Sequence, residues 1–399
     1  METFVSFLLA AFAGLLAIPV LLFCVEVFAA VAIPQRELLS PAKTSSRQRV
    51  AVLVPAHNEG KGLLSTLDDI KAQLRPDDRL LVVADNCTDD TAAVARLAGA
   101  DVAERNDPAK MGKGYALDWG LRHLNDDPPG IVIIIDADSR LANEALYRLE
   151  TACAATGRPV QALYLMNGPV DSSVNYSVAA FAFRVKNWIR PLGLRALHLP
   201  CQLMGTGMAL PWELVRSINL ATGEVVEDLK LGLELAEAGH PPLFCPSASV
   251  TSQFPSSIKG AKSQRKRWEQ GHLAMIVTAF PRLLCKSLAR RDFNLLALAL
   301  DMLVPPLTLL GMMVSAMLLI SGIAFLIGVH STALIVSVIS LLAYSLAIVV
   351  CWLNCGREIL PLSSIFSVAS YAVSKLPLYR QILSRGDGSE WIRTDRGKN

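Results

Sequence analysis

Apolar residues run almost without interruption from Phe4 to Ile33, with Glu26 the one charged residue in the stretch. As a helix this run is long enough to cross the ~30 Å hydrocarbon core of a bilayer. Ala30-Val31-Ala32 resembles a signal-peptidase site, but the run is longer than a signal peptide's core and no Lys or Arg precedes it, so an uncleaved anchor is expected. Two more runs, Leu295 to Ile327, interrupted by Pro305-Pro306, and Thr332 to Cys355, are joined by the short uncharged stretch Gly328-Val329-His330-Ser331 and predict a transmembrane hairpin. Between Leu360 and Leu383 the apolar pattern is broken by serines, Lys375 and Pro377, which suits a helix lying in the membrane interface.

The middle of the chain follows a different rhythm. Short β-branched runs at Val50 to Val54, Leu80 to Ala84 and Ile131 to Ile135 alternate with apolar residues at helical spacing over Leu63 to Leu74, Thr91 to Leu97 and Tyr115 to Leu124. Continuous apolar runs of this length are what parallel strands buried on both faces require, and the alternation implies right-handed β-α-β units. The pattern predicts an α/β fold with an open, doubly wound, mostly parallel sheet. The organisation expected is an N-terminal transmembrane helix (1–35), a cytosolic α/β domain (48–280), an interfacial segment with a transmembrane hairpin (281–358), and an interfacial helix with a cytosolic tail (359–399).

Charge fixes the orientation. Arg36, Lys43, Arg47 and Arg49 follow the first apolar run, Lys286, Arg290 and Arg291 precede the hairpin, and Arg357 follows it. Excess positive charge marks the cytosolic side, so the domain and the tail are expected there and the amino terminus outside. Asp301 is the one ionisable group inside the hairpin's first run; it reads either as a functional residue or as a group near the headgroups beside Arg291.

Composition narrows the partners. With 399 residues, 52% of them apolar, and a mean hydropathy of +0.39, the chain is too greasy for an ordinary soluble enzyme. A net charge of +3 offers no polyanion-binding surface, so nucleic acid is not expected as a partner. The eight cysteines form no C-x-x-C pair, and Cys351 and Cys355, although one helical turn apart, have no His nearby; no metal is assigned to cysteine.

Open sheets bind ligands beyond the carboxyl ends of their strands, and the polar clusters lie there. They are Pro55-Ala56-His57-Asn58-Glu59, Asp85-Asn86-Cys87-Thr88 and Asp136-Ala137-Asp138. The i,i+2 spacing lets Asp136 and Asp138 face one side of a crevice, where their carboxylates suit a hard cation such as Mg2+ or Mn2+. Glu227-Asp228 opens a helical stretch, Leu229 to Ala238, whose dipole favours ionised carboxylates at its start. Gln264, Arg267 and Trp268 share one helical face, offering a guanidinium fork and an indole platform.

Taken in order, Val54-Pro55-Ala56-His57-Asn58-Glu59, Asp85-Asn86, Lys110-Met111-Gly112-Lys113-Gly114, Asp136-Ala137-Asp138, Glu227-Asp228 and Gln264-Arg265-Lys266-Arg267-Trp268 resemble family-2 glycosyltransferases of the cellulose, hyaluronan and chitin-oligosaccharide synthase-like branch, which are membrane-anchored and have a GT-A fold. That resemblance implies a nucleotide-sugar donor and a glycan or lipid-linked acceptor; the apolar runs imply contact with membrane lipid, and three spans, few for a polymer-conducting pore, favour a short product or a partner that performs export. It implies that Asp85, Pro55, Glu59 and Lys113 bind the nucleotide, that Asp138 and Asp136 hold the metal-bound diphosphate, and that Asp228 is the base. Glu227, Gln264, Arg267 and Trp268 would serve the acceptor and diphosphate. Val226 stands where the family has threonine, and Met204-Gly205-Thr206-Gly207-Met208 occupies an acceptor-side position without the family's residues. Trp391-Ile392-Arg393-Thr394-Asp395-Arg396 resembles a tail motif of some relatives. The alternatives are a polyprenyl-phosphate sugar transferase and a non-catalytic scaffold of an export complex.

Overall fold

The computed structural model describes residues 2–34, 47–169, 174–221, 223 and 226–384. The Arg36 and Lys43 flank and the Trp391 tail motif lie outside these residues. The chain divides into two compact units: one formed by 1–35, 170–198 and 269–387, the other by 36–169, 199–268 and 388–399. Residues 170–198, within the range expected for the α/β domain, group instead with the apolar helices.

The α/β unit is built on eight strands: β1 (Val50–Ala56), β2 (Arg79–Asp85), β3 (Asp101–Arg105), β4 (Ile131–Ile134), β5 (Arg140–Leu141), β6 (Val160–Asn167), β7 (Met208–Pro211) and β8 (Leu243–Gln253). They form a single sheet in the order β3-β2-β1-β4-β7-β6-β8-β5. Strands β1 to β4 are parallel, whereas β7 runs antiparallel to both β4 and β6, and β5 runs antiparallel to β8. The expected β-α-β units are present: the helices Leu64–Lys71, Thr91–Leu97 and Lys113–Leu124 alternate with β1 to β4. Leu53, Leu81, Val83, Val132 and Ile134 are fully buried, and Leu117, Leu121 and Leu124 pack with them from the helix Lys113–Leu124. This burial explains the unbroken apolar runs of the central strands.

Reversal of β7 is what brings two sequence-distant segments together. Its register on β4 (Ile134 opposite Met208) sets the start of β7 at the carboxyl end of β4. The loop before β7, residues 204–207, therefore meets the turn that follows β4.

Among the described residues the second unit has three helices long and apolar enough to cross a membrane, Thr3–Ala32, Leu307–Leu326 and Thr332–Gly356. The run Leu295 to Ile327, read from sequence as one span, is two helices, Phe293–Met302 and Leu307–Leu326. Pro305 and Pro306 explain the break, since a proline has no N–H for the helical ladder and disfavours helical geometry in the residue before it. The 360–383 stretch forms two short helices, Ile365–Ser374 and Leu376–Ser384.

Glu26 and Asp301, both in apolar sequence, converge on Arg190. Arg190 Nε donates to Glu26 Oε2 at 2.5 Å, and its Nη2 donates to Asp301 Oδ1 at 2.6 Å and to the Asp301 carbonyl at 2.7 Å. All three residues are buried. Asp301 is thus paired with Arg190. Around the triad, Val20, Phe23 and Val27 pack with Val185, Ile189, Leu310 and Cys351. Removing the cation would leave two carboxylates buried without compensation, a change that costs roughly 3–5 kcal/mol. Arg190→Met is therefore expected to lower the thermal unfolding midpoint of the detergent-solubilised protein by several degrees, read by intrinsic fluorescence, whereas a double exchange with Glu26→Gln recovers part of the loss.

Candidate active site

The turns after β1 and β2 are interlocked by hydrogen bonds. His57 Nδ1 lies 2.7 Å from the carbonyl of Asp85, Asn58 Oδ1 accepts from the Thr88 N–H at 2.7 Å, and Thr91 Oγ1 accepts from the N–H groups of Glu59 and Gly60 at 2.9 Å each. Asn58 and Asn86 both adopt positive φ, 54° and 50°, which asparagine tolerates better than other side chains. Each strand is thereby followed at once by a tight turn.

Asp85 ends β2 directly opposite Arg105, which ends β3. Arg105 Nη1 donates to Asp85 Oδ1 at 2.5 Å and to the Lys110 carbonyl at 2.9 Å. Burial pushes the Asp85 carboxyl up, against the pull of Arg105. Arg105 was not singled out in the sequence, because β3 carries charges on its exposed positions and does not read as a strand. Its pairing with Asp85 follows from register once β3 is recognised.

Beyond β4 the chain turns through Asp136-Ala137-Asp138, with Ala137 buried and both aspartates partly exposed. The pair lies in a turn after the strand, yet the two residues still flank a buried neighbour. Three hydroxyls hold this turn. Thr66 Oγ1 donates to the carbonyls of Ala137 and Ser139 at 2.8 Å, Thr206 Oγ1 accepts from the Asp136 N–H at 3.0 Å, and Ser139 Oγ lies 3.1 Å from Thr206 Oγ1.

Lys113, first residue of the helix Lys113–Leu124, joins the turn to the 204–207 loop. Its Nζ forms an ion pair with Asp136 Oδ1 and donates to the Gly205 carbonyl at 2.6 Å. Gly205 has φ +92°, and a Cβ there would lie 3.3 Å from Asp228 Oδ2 and 3.7 Å from Lys113 Nζ. The absent side chain is what lets Asp228 and Lys113 both come close to the loop at Gly205. At Gly207, with φ +68°, a Cβ would meet Ala162 Cβ at 2.7 Å, so the loop can pass against β6 only as glycine.

Glu227 and Asp228 open the helix Glu227–Glu237, whose N-terminal dipole favours negative charge. Burial opposes a charge on Lys113, but Asp136, Glu227 and Asp228 outweigh it and raise the ammonium's affinity for its proton. Glu227 is pushed up to about 8 by burial, with Asp228 and Asp136 adding repulsion and Lys113 pulling back. The arrangement can keep one carboxylate ionised at a helix start beside a fixed cation, as proton abstraction from a hydroxyl requires.

The structure therefore brings Lys113, Asp136, Glu227 and Asp228 together. Pro55 lies in β1 opposite Val83, and Glu59 caps the turn Gly60–Leu63. Gln264, Arg267 and Trp268 lie half-buried on the helix Ile258–Thr278, and Gln264 Oε1 is buried without a hydrogen-bond partner among the described residues. Among the described residues no three His, Cys, Asp or Glu side chains form a metal cluster. Asp136 and Asp138 offer hard carboxylate oxygens that fit Mg2+ or Mn2+ when a bound ligand supplies the remaining oxygens.

The mostly parallel sheet with its flanking helices is a GT-A-type, nucleotide-diphospho-sugar-transferase-like fold. Residues 47–271, more than half of the chain, match Glycosyltransferase like family 2, and the chain belongs to that family. It is 25% identical over 249 residues to the probable glycosyltransferase YdaM of Bacillus subtilis (strain 168), a match covering 57% of this chain and 56% of that protein, so the chain spans little more than half the length of that curated relative. Its fold is similar to that of the mannosyltransferase PcManGT from Pyrobaculum calidifontis, solved in complex with GDP-Man and Mn2+, with a TM-score of 0.52, 19% identity, and coverage of 92% of this chain and 98% of that one.

The raised Glu227 carboxyl couples stability to pH. Its folded value of about 8 exceeds its ordinary 4.5, so the stabilising contribution is complete below pH 4.5 and is lost as pH rises through 8. In EDTA-containing buffer the unfolding midpoint of Glu227→Gln, minus that of the wild type, is expected to grow between pH 5 and 8 and then level off. A constant difference across that range would show that Glu227 ionises at its ordinary value.

Proposed function

We propose that the chain is an inverting glycosyltransferase that moves a hexosyl or N-acetylhexosaminyl group from a UDP-sugar to a hydroxyl of a glycan or lipid-linked saccharide. The observation that carries this reading is the convergence of Asp228, Lys113 and Asp136 around Gly205 at the carboxyl edge of the sheet. In this reading Asp228 takes the proton of the acceptor hydroxyl, and the oxygen attacks the anomeric carbon from the face opposite the departing nucleoside diphosphate. An α-linked donor gives a β-linked product. Lys113 keeps Asp136 in place and offsets negative charge. A divalent cation, Mg2+ or Mn2+, held by Asp138 and Asp136, would supply Lewis-acid stabilisation to the diphosphate. Mn2+ together with GDP-Man in the mannosyltransferase of similar fold supports this assignment.

Asp85, fixed by Arg105, is assigned to the nucleotide base, with Pro55 and Glu59 lining the nucleoside pocket. Gln264 Oε1 can accept from a sugar hydroxyl, the Arg267 fork matches a diphosphate, and the Trp268 indole offers a stacking face. Glu227 serves the acceptor side as the neighbour of the base.

The ordered motifs and the three apolar helices support a membrane-anchored enzyme of the cellulose, hyaluronan and chitin-oligosaccharide synthase-like branch. In this reading residues 1–35 anchor the chain, 48–280 act in the cytosol, 281–358 supply an interfacial segment and a hairpin, and 359–399 return to the cytosolic face of the plasma membrane. Three spans are few for a polymer-conducting pore, which favours a short product or a partner that performs export, in exopolysaccharide or glycolipid synthesis.

Purified protein in detergent, given a panel of nucleotide sugars with Mn2+ or Mg2+, is expected to release nucleoside diphosphate from a UDP-sugar and to stop when EDTA is added. Asp228→Asn is expected to lower transfer by about 10²- to 10⁴-fold while leaving UDP affinity within about twofold. Transfer at the wild-type rate in that variant would remove Asp228 from the role of base.

A further inference from the structure

The segment 204–207 is held more tightly than a substrate-facing loop needs to be. Gln161, fully buried on β6, grips it at both ends: its Oε1 accepts from the Met204 N–H at 2.7 Å, and its Nε2 donates to the Thr206 carbonyl at 2.9 Å. The Gly207 N–H donates to the Ile134 carbonyl at the end of β4, and the Gly207 carbonyl accepts from the Ala162 N–H. A loop fastened at four points transmits position rather than absorbing it.

What it transmits is set by Thr206. This residue has no exposed surface, and its Oγ1 accepts from the Asp136 N–H at 3.0 Å. The same hydroxyl meets Ser139 Oγ at 3.1 Å, and Ser139 Oγ meets Ser252 Oγ at 3.2 Å, so a chain of buried hydroxyls runs beneath the aspartate turn. One residue earlier, Gly205 is the point against which Lys113 and Asp228 rest. Thr206 is therefore bonded to the main chain of the residue proposed to hold the cation, and it adjoins the residue beside the proposed base.

We propose that Thr206 is a positioning residue: through its buried hydroxyl it fixes the main chain of Asp136, and with it the cation-holding pair Asp136 and Asp138, relative to Asp228 across the Gly205 backbone. The proposal rests on the metal and base assignments made above. Partners that orient a ligating carboxylate, without touching the metal, typically contribute about 10- to 100-fold to metal affinity. Valine has the shape of threonine and lacks the hydroxyl, so Thr206→Val would remove the hydrogen bond accepted from the Asp136 N–H and one of the two hydroxyl contacts of Ser139 while preserving the packing volume.

The test is Mn2+ binding to the full-length protein in detergent with UDP present, followed by electron paramagnetic resonance, alongside transfer kinetics. Thr206→Val is expected to weaken Mn2+ binding about tenfold or more and to raise the Mn2+ concentration for half-maximal transfer in step, with Thr206→Ser restoring both to near wild-type values. Mn2+ affinity in Thr206→Val equal to that of wild type would overturn the proposal, as would a loss that serine does not rescue. Should the valine variant fail to fold, Thr206→Cys, whose thiol is a weak hydrogen-bonding group of similar size, carries the same expectation and the same refutation. A wild-type protein that binds no Mn2+ with UDP present would overturn the metal assignment itself, and this proposal with it.

Discussion

Much of the site depends on how one ammonium group is shared among acids. Lys113 pairs with Asp136, donates to the Gly205 carbonyl, and lies in the field of Glu227 and Asp228. Two like charges about 4 Å apart at an effective dielectric constant near 20 repel by about 4 kcal/mol. Three carboxylates gathered without a cation would either separate or take up protons. Lys113 offsets that repulsion, and burial together with the neighbouring Asp228 pushes the Glu227 carboxyl up, so that it holds a proton more readily than an exposed glutamate. The acids can then be close enough to act on the two ends of one transfer reaction.

This constraint explains features of the fold that would otherwise look incidental. The antiparallel β7 brings the 204–207 loop to the end of β4, and Gly205 and Gly207 let that loop pass where side chains would collide with Asp228 or with Ala162. The helix Lys113–Leu124 packs its apolar face on β1 and β2, which places its first residue over the carboxyl edge. On the far side of the crevice, Arg105 does for Asp85 what Lys113 does for Asp136, and its contact with the Lys110 carbonyl ties that corner to the turn leading into Lys113. The apolar unit uses the same device: a single Arg190 serves Glu26 and Asp301.

How much of this could be read from sequence depended on whether burial was continuous. Strands β1, β2 and β4 are buried on both faces, and the helix Thr91–Leu97 begins and ends where periodicity put it. Strand β3 is exposed at Asp101 and Glu104 and carries Arg105, so neither it nor the Asp85–Arg105 register was visible. Strand β7 has four residues and an orientation that no local pattern encodes. The acids and Lys113 were singled out by motif and Thr206 only as part of the Met204–Met208 segment, whereas Gln161 was not, because the role of a buried hydroxyl or amide is defined by partners distant in sequence. In the apolar unit, hydropathy located the spans but merged two helices across Pro305-Pro306, and the partner of Asp301 lay in a segment assigned to the other unit.

The most direct test of this account is the position of Mn2+ in a crystal grown with UDP, located by its anomalous scattering. The account requires the metal at the carboxylates of Asp136 and Asp138 together with the UDP diphosphate, with Lys113 and Asp228 nearby at Gly205. A metal or nucleotide bound away from the carboxyl edge of β4, with the Lys113, Asp136 and Asp228 cluster bare, would contradict it.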